Sequence, residues 1–287
     1  MKVIAVLYPG GEAADNPEVL GCAENALGLR ELLEEAGHEL FSTTDREGGE
    51  LEENLSDADV LITTPFWPVY VSKETLGDAP NLKLILTAGV GSDHVDLGDA
   101  AERGITVAEI TGSNTVSVAE HAVMQILALV RNFVPAYKDV VNGGWSIGEI
   151  SARSHDLEEK TVGVYGAGQI GQLIAARLKP FDVKTLYYKR SRLGTTEELS
   201  LGIRYATLDE MLEECDVIVI AAPLTPETEG LFDRDTLFKM KKGAHLVNIA
   251  RGAIVDTDAL VEALESGHLA GYAGDVWDPQ PAPSDHP

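Results

Sequence analysis

The chain has 287 residues, 44% of them hydrophobic, and carries 22 Lys and Arg against 47 Asp and Glu, a formal charge of −25. That length allows about two domains with a sizeable core, and the charge disfavours nucleic acid and anionic membrane as partners. The longest apolar stretch, Ala122 to Val130 with Gln125 inside it, is far short of the roughly 18 residues of a membrane span.

Residues 2–8 run straight into Pro9-Gly10-Gly11 and an acidic stretch, so they read as a buried first strand and not as a signal peptide. A helix is expected over 26–36, ending at Gly37, with strands over 60–63 and 82–86. Together these describe a small open α/β domain over residues 1–113. Two cysteines, Cys22 and Cys215, form no disulfide framework and suit a reducing cytoplasm.

A long helix follows. Ser117 and Glu120 have the spacing of a capping box, and Ala119, Ala122, Val123, Ile126, Leu127 and Val130 keep helical periodicity to an end near Asn132. Strands are then expected over 161–165, 183–188, 217–221, 244–249 and 271–276. Helices are expected over 169–178, stopped by Pro180, and over 208–214 and 257–266. This alternation predicts an α/β fold in which residues 114–287 form a doubly wound Rossmann sheet. No internal repeat or low-complexity segment interrupts it.

Gly166-Ala167-Gly168-Gln169-Ile170-Gly171 directly follows one of these strands and opens a helix. In that context Gly166 permits the tight turn, Gly168 lets the backbone approach a pyrophosphate, and Gly171 allows close helix–strand packing. The helix N-terminus then offers unpaired N–H groups to the phosphates. A site for NAD places an acid at the end of the next strand to bond the ribose 2′-hydroxyl. Here the chain reads Lys189-Arg190-Ser191-Arg192, with no acid before Glu197. Three cations in four residues of so acidic a chain favour the 2′-phosphate of NADP over NAD. Arg251, just past a strand, sits where open α/β sheets bind ligands, and its fork suits a carboxylate.

Several segments carry a family resemblance: Pro65-Phe66-Trp67-Pro68, residues 87–97, Gly112-Ser113-Asn114, residues 117–121, Pro226-Glu227-Thr228-Glu229, and 271–283 with its Gln280. In these the sequence resembles the metal-free, nicotinamide-dependent formate dehydrogenase branch of the D-2-hydroxyacid dehydrogenase family. The likeness runs from Lys2 to the last residue. It implies a flavodoxin-like substrate domain before the Rossmann domain, formate as substrate, and a homodimer formed through the cofactor domain. Arg251 and Asn114 would hold the carboxylate, Val90 and Phe66 would wall the substrate pocket, Asp275 would bond the nicotinamide carboxamide, and Gln280 would pair with a catalytic histidine. Losing hydride from formate yields CO2 with no proton to remove, so an unionisable Gln suits that place, whereas 2-hydroxy acids need a general base.

This sequence departs from the pattern in three places. Lys189 replaces the family's acid, and Thr225 of Pro223-Leu224-Thr225 replaces a histidine near the nicotinamide. The resemblance also places the catalytic histidine, and the helices returning to the first domain, beyond Pro287, which implies that a chain ending there turns over poorly. Two alternatives stay open: a dehydrogenase of another small 2-hydroxy or oxo acid, and a non-catalytic nucleotide-binding protein or inert fragment.

Overall fold

Short apolar runs, each too short for anything but a strand, alternate with amphipathic helices, and the chain folds them into parallel sheets joined by helical crossovers. The computed structural model describes residues 1–13, 16, 22 and 28–287. Its described residues divide into two units, Met1–Ser113 and Asn114–Pro287.

The first unit runs β1 (Lys2–Val6), α1 (Leu29–Glu35), β2 (Glu39–Thr43), α2 (Gly49–Leu55), β3 (Val60–Thr63), α3 (Lys73–Asp78), β4 (Leu84–Thr87), α4 (Leu97–Glu102) and β5 (Thr106–Glu109). All pairings are parallel, in the order β2-β1-β3-β4-β5, which is the flavodoxin-like order. Ile4, Leu61, Leu76 and Ile85 are wholly buried in its core. Of the helix expected over 26–36, residues 26 and 27 lie outside the described residues, and Gly28 at φ 72° precedes its first turn. The strand expected over 82–86 starts two residues later, because the Leu82 N–H closes the turn after α3 on the Ala79 carbonyl.

The second unit begins with three helices, α5 (Thr115–Val130), α6 (Phe133–Val141) and α7 (Ile147–Ala152). It continues β6 (Thr161–Tyr165), α8 (Gln169–Leu178), β7 (Lys184–Tyr188), α9 (Thr195–Leu201), β8 (Ile203–Tyr205), α10 (Leu208–Glu214) and β9 (Val217–Ile220). It ends with α11 (Arg234–Lys239), β10 (His245–Asn248), α12 (Thr257–Glu265) and β11 (Gly271–Gly274). The six strands are parallel in the order β11-β10-β9-β6-β7-β8, a doubly wound sheet whose direction of winding reverses between β6 and β9.

Successive side chains on a strand point to opposite faces, and β9 shows the result. Val217 and Val219 join the core formed with α5 and α8, while Ile218 and Ile220 join the core formed with α10, α11 and α12. A sheet covered on both faces needs such unbroken apolar strands. Among the described residues no helix is long and apolar enough to cross a membrane. Cys22 and Cys215 are both buried, and neither forms a disulfide among the described residues.

The capping box expected at Ser117 is not formed. The Val118 N–H already donates to the Asn114 carbonyl, so α5 starts three residues earlier and Ser117 lies within its first turn. Asn132, at φ 52°, then turns the chain directly into α6. A capping box does start α10: the Glu210 N–H donates to Thr207 Oγ1, and the Thr207 N–H donates to Glu210 Oε2 at 2.7 Å.

Candidate active site

The winding of the second sheet reverses between β6 and β9, which leaves a crevice outside their carboxyl ends. The glycine turn sits there. Gly166 has φ 105°, and a Cβ on it would fall 2.4 Å from the backbone nitrogen of Ala222, so only glycine lets β6 and the loop after β9 approach this closely. A Cβ on Gly171 would fall 2.3 Å from the Gly166 carbonyl oxygen. Gly168 is different: it is exposed, and a Cβ there would meet nothing within 4 Å. Gly168 is the N-cap of α8, and no side chain caps the helix, so the first N–H groups of α8, beginning with Gln169 and Ile170, open onto unfilled space.

The expected basic loop leaves β7 beside this turn, because the N–H groups of both Gly166 and Ala167 donate to the Tyr188 carbonyl at 3.0 Å. Lys189 is half-buried, and Arg190 and Ser191 are exposed. Lys189 and Arg190 make no hydrogen bond or ion pair with the described residues. Arg192 does not add a third available cation. Its Nε and Nη2 donate to Glu198 Oε1 and Oε2 at 2.8 and 2.9 Å, and the guanidinium lies 5.5 Å from the centre of the Tyr205 ring. The Arg192 and Tyr187 bonds hold the Glu198 carboxyl down to about 2. The loop after β9 carries exposed Pro223 and closes on itself, the Thr225 N–H donating to Thr228 Oγ1 and that hydroxyl to the Pro223 carbonyl, both at 2.8 Å. Its Glu227 carboxyl is lowered, chiefly by the Thr225 hydroxyl and to a lesser degree by the charge of Arg190.

Arg251 follows β10 and is half-buried, its Nη1 donating to the Ala250 carbonyl at 2.8 Å. Fully buried Asn248 shapes this turn: its Nδ2 donates to the Arg251 carbonyl at 2.8 Å, and its Oδ1 accepts from the Ala250 N–H. The sequence signal for that clamp is a polar residue inside the apolar run Leu246-Val247-Asn248-Ile249, which patterning alone does not assign a role. A Cβ on Gly252 would fall 2.2 Å from the Trp277 backbone, so the Arg251 turn packs directly on the segment between Asp275 and Gln280. Gln280 is half-buried, and its Oε1 accepts from the Trp277 N–H at 3.4 Å.

Asp275 leaves the carboxyl end of β11, with its side chain 36% exposed. Burial raises its carboxyl, and the neighbouring charges of His121 and Arg251 partly offset this. His121 Nε2 lies 3.8 Å from Asp275 Oδ2. At the other end of the same strand, a Cβ on Gly271 would touch Leu129 Cδ2 at 3.1 Å. Residue 129 therefore sits by the start of β11 and residue 121 just past its end, so α5 runs antiparallel to the strand. Asn114 is two turns before His121 on the same helical face, about 10 Å farther along the axis. Asn114 therefore lies past the carboxyl end of β11. Its Oδ1 is buried, makes no hydrogen bond and does not cap its own helix. Such an acceptor is costly to leave unmet.

Two expected pocket residues lie on the first unit, at the carboxyl edge of its own sheet. Phe66 follows β3 and is 55% exposed, and half-buried Val90 follows β4. Gly89 lets these loops touch, since a Cβ there would fall 2.7 Å from the Pro65 ring. Among the described residues, no group of three or more His, Cys, Asp or Glu clusters as metal ligands do.

Residues 123–287 match the model of the D-isomer specific 2-hydroxyacid dehydrogenase NAD binding domain. Over its whole length the chain is 55% identical to the mitochondrial formate dehydrogenase of Solanum tuberosum, of which it covers 76%. It superposes on an NAD-dependent formate dehydrogenase from Staphylococcus aureus, solved in complex with NAD, with a TM-score of 0.93 at 49% identity. A Granulicella formate dehydrogenase gives 0.94 at 49% identity. Each of these two alignments covers all of this chain and 85% of the other.

Proposed function

Because the chain belongs to the formate dehydrogenase branch of the D-isomer-specific 2-hydroxyacid dehydrogenase family, we propose that it oxidises formate to CO2 with a nicotinamide dinucleotide and prefers NADP to NAD. One observation carries the reading. Arg251 and Asp275, close enough for their charges to interact, follow β10 and β11 at the carboxyl edge of the same sheet whose glycine turn leaves open space at Gly168, and Asn114 at the start of α5 keeps a buried, unmet Oδ1.

The residues fit the cofactor. Gly168 and the first turn of α8 hold the pyrophosphate, and Asp275 accepts from the carboxamide. Bound there, the nicotinamide supplies the hydride acceptor. The Arg251 fork and the Asn114 amide hold the formate carboxylate, which is already an anion and needs no base. Departure of hydride removes its charge, and with it much of the attraction to Arg251, so CO2 is released readily.

Lys189 and Arg190 support the NADP preference. They stand next to the glycine turn, where a carboxylate would repel a 2′-phosphate, and one ordered contact is enough for about a tenfold preference. The same reading includes a homodimer through the second unit. Phe133, Tyr137, Val140, Val141 and Trp145 are each more than half exposed, in a stretch whose only charges are Lys138 and Asp139. In a chain of net charge −25, a second copy meets least repulsion at such a neutral apolar face.

The test is cofactor reduction with formate, D-lactate and glycerate as substrates, alongside binding of azide, a linear anion, to the cofactor complex. In a chain that continues past Pro287 with the histidine the resemblance implies, formate oxidation and azide competition are expected. Oxidation of the hydroxy acids without formate would move the chain to the hydroxyacid branch of its family, and cofactor binding with no anion binding would favour a non-catalytic role.

A further inference from the structure

The loop after β7 is fastened at both ends. At the near end, Tyr188 is tied to the glycine turn by the two N–H bonds of Gly166 and Ala167. At the far end, the Leu193 N–H donates to the Tyr187 hydroxyl at 3.0 Å, and that hydroxyl donates to Glu198 Oε1 at 2.6 Å. Arg192 grips the same carboxylate with two N–H bonds. Tyr187 is fully buried, and Glu198 is only 9% exposed, so the knot is anchored between β7 and α9 and not on the surface. Only Lys189, Arg190 and Ser191 bridge the two fastenings.

We propose that Arg192 and Glu198 are positioning residues for cofactor discrimination: their knot with Tyr187 holds the short bridge so that Lys189 and Arg190 meet the 2′-phosphate, which Arg192 itself does not touch. The proposal deepens the NADP reading above and rests on it. The physical ground is preorganisation. Ordering a loop with two long cationic side chains costs conformational entropy on binding. A bridge pinned at both ends has lost much of that freedom beforehand. Arg192 has its fork spent on a carboxylate, so its charge is neutralised where it stands. An exposed ion pair would be a weak tether. Here the carboxylate is buried and shared with a core tyrosine, so removing either partner leaves the other poorly satisfied.

The experiment titrates NADP and NAD separately into wild type, Arg192→Ala, Arg192→Lys, Glu198→Ala, Glu198→Gln and the double variant Arg192→Ala/Glu198→Ala, each at two salt concentrations. A general loss of structure would weaken both cofactors alike, so the readout is the ratio of the two dissociation constants. Arg192→Ala and Glu198→Ala are each expected to lower the preference for NADP about three- to tenfold, with the double variant no worse than either single. Arg192→Lys should behave like Arg192→Ala, since a point charge cannot replace the fork. The steepness of the salt dependence should stay that of wild type. A different pattern overturns the proposal: NADP binding tightens in Glu198→Gln and survives in Arg192→Lys, as it would if Arg192 were a phosphate ligand competed for by Glu198. Lys189→Ala tests the underlying cofactor reading separately. If wild type shows no NADP preference, that reading fails, and the knot is judged by hydrogen exchange at the Leu193 amide. Protection that is present in wild type but lost in Arg192→Ala and Glu198→Ala supports the fastening, and unchanged protection refutes it.

Discussion

Two glycines of the same turn should fail in opposite ways. In Gly171→Ala the new methyl falls 2.3 Å from the Gly166 carbonyl oxygen and 3.0 Å from Val164 Cγ1. Gly166 cannot retreat, because its N–H is bonded to Tyr188 and its Cα faces the backbone of Ala222. Overpacking against a fixed backbone costs about 1–3 kcal/mol, and at roughly 2–4 °C per kcal/mol for a unit of this size the melting temperature should fall about 2–12 °C. In Gly168→Ala the methyl meets nothing within 4 Å, and φ is −76°, which alanine adopts freely. Replacing glycine by alanine at an N-cap costs below about 1 kcal/mol, a shift of no more than about 4 °C. That methyl, however, stands in the space over the first turn of α8. Losing one charge-assisted bond to a pyrophosphate weakens binding about 10- to 100-fold. Thermal melts without cofactor, paired with fluorescence titration of NADP, separate the two effects. The reasoning is refuted if Gly168→Ala binds cofactor as wild type does, or if it loses as much stability as Gly171→Ala.

Four further outcomes are expected. Lys189→Asp should reverse the cofactor preference, repelling the 2′-phosphate and bonding the NAD 2′-hydroxyl instead; the wild-type preference should shrink as salt rises, and paired titrations at two ionic strengths check both. Arg251→Lys should weaken azide binding to the cofactor complex about tenfold or more, because a point charge cannot reproduce a bidentate fork, and calorimetric titration reads this directly. The Cys215 thiol is pushed up to about 12 by burial, so iodoacetamide near neutral pH should alkylate it only after denaturation, as mass spectrometry of the native and unfolded protein would show. The Glu198 carboxyl is held at about 2 against its ordinary 4.5. A depressed carboxyl stabilises the fold above its unfolded value and stops doing so as pH falls through its folded value. The gap in melting temperature between wild type and Glu198→Gln should therefore be full above about pH 4.5 and close as pH falls toward about 2.

What the sequence alone determined is local. The strand Thr161–Tyr165 and the helix Gln169–Leu178 lie where hydrophobic patterning puts them, and the glycine turn between them needs only neighbouring residues to define its shape. The doubly wound sheet follows for the same reason, since every apolar strand must be covered by the helix beside it. Short, half-polar strands such as Thr106–Glu109 escaped notice because sheet pairing sustains them where periodicity does not. The basic loop was legible as a count of charges, but the number of cations available to a ligand was not. α9 brings Glu198 back beneath Arg192 and Tyr187, and a carboxylate six residues away in sequence gives no sign of that pairing. The placing of Asn114 beyond the edge of β11 follows from α5 running antiparallel to that strand, and the Asn248 clamp on the Arg251 turn likewise exists only in the folded chain. Patterning and turn chemistry act over a few residues and can be read along the chain. Charge pairing and the burial of polar atoms depend on which distant segments meet, and only the tertiary structure decides that.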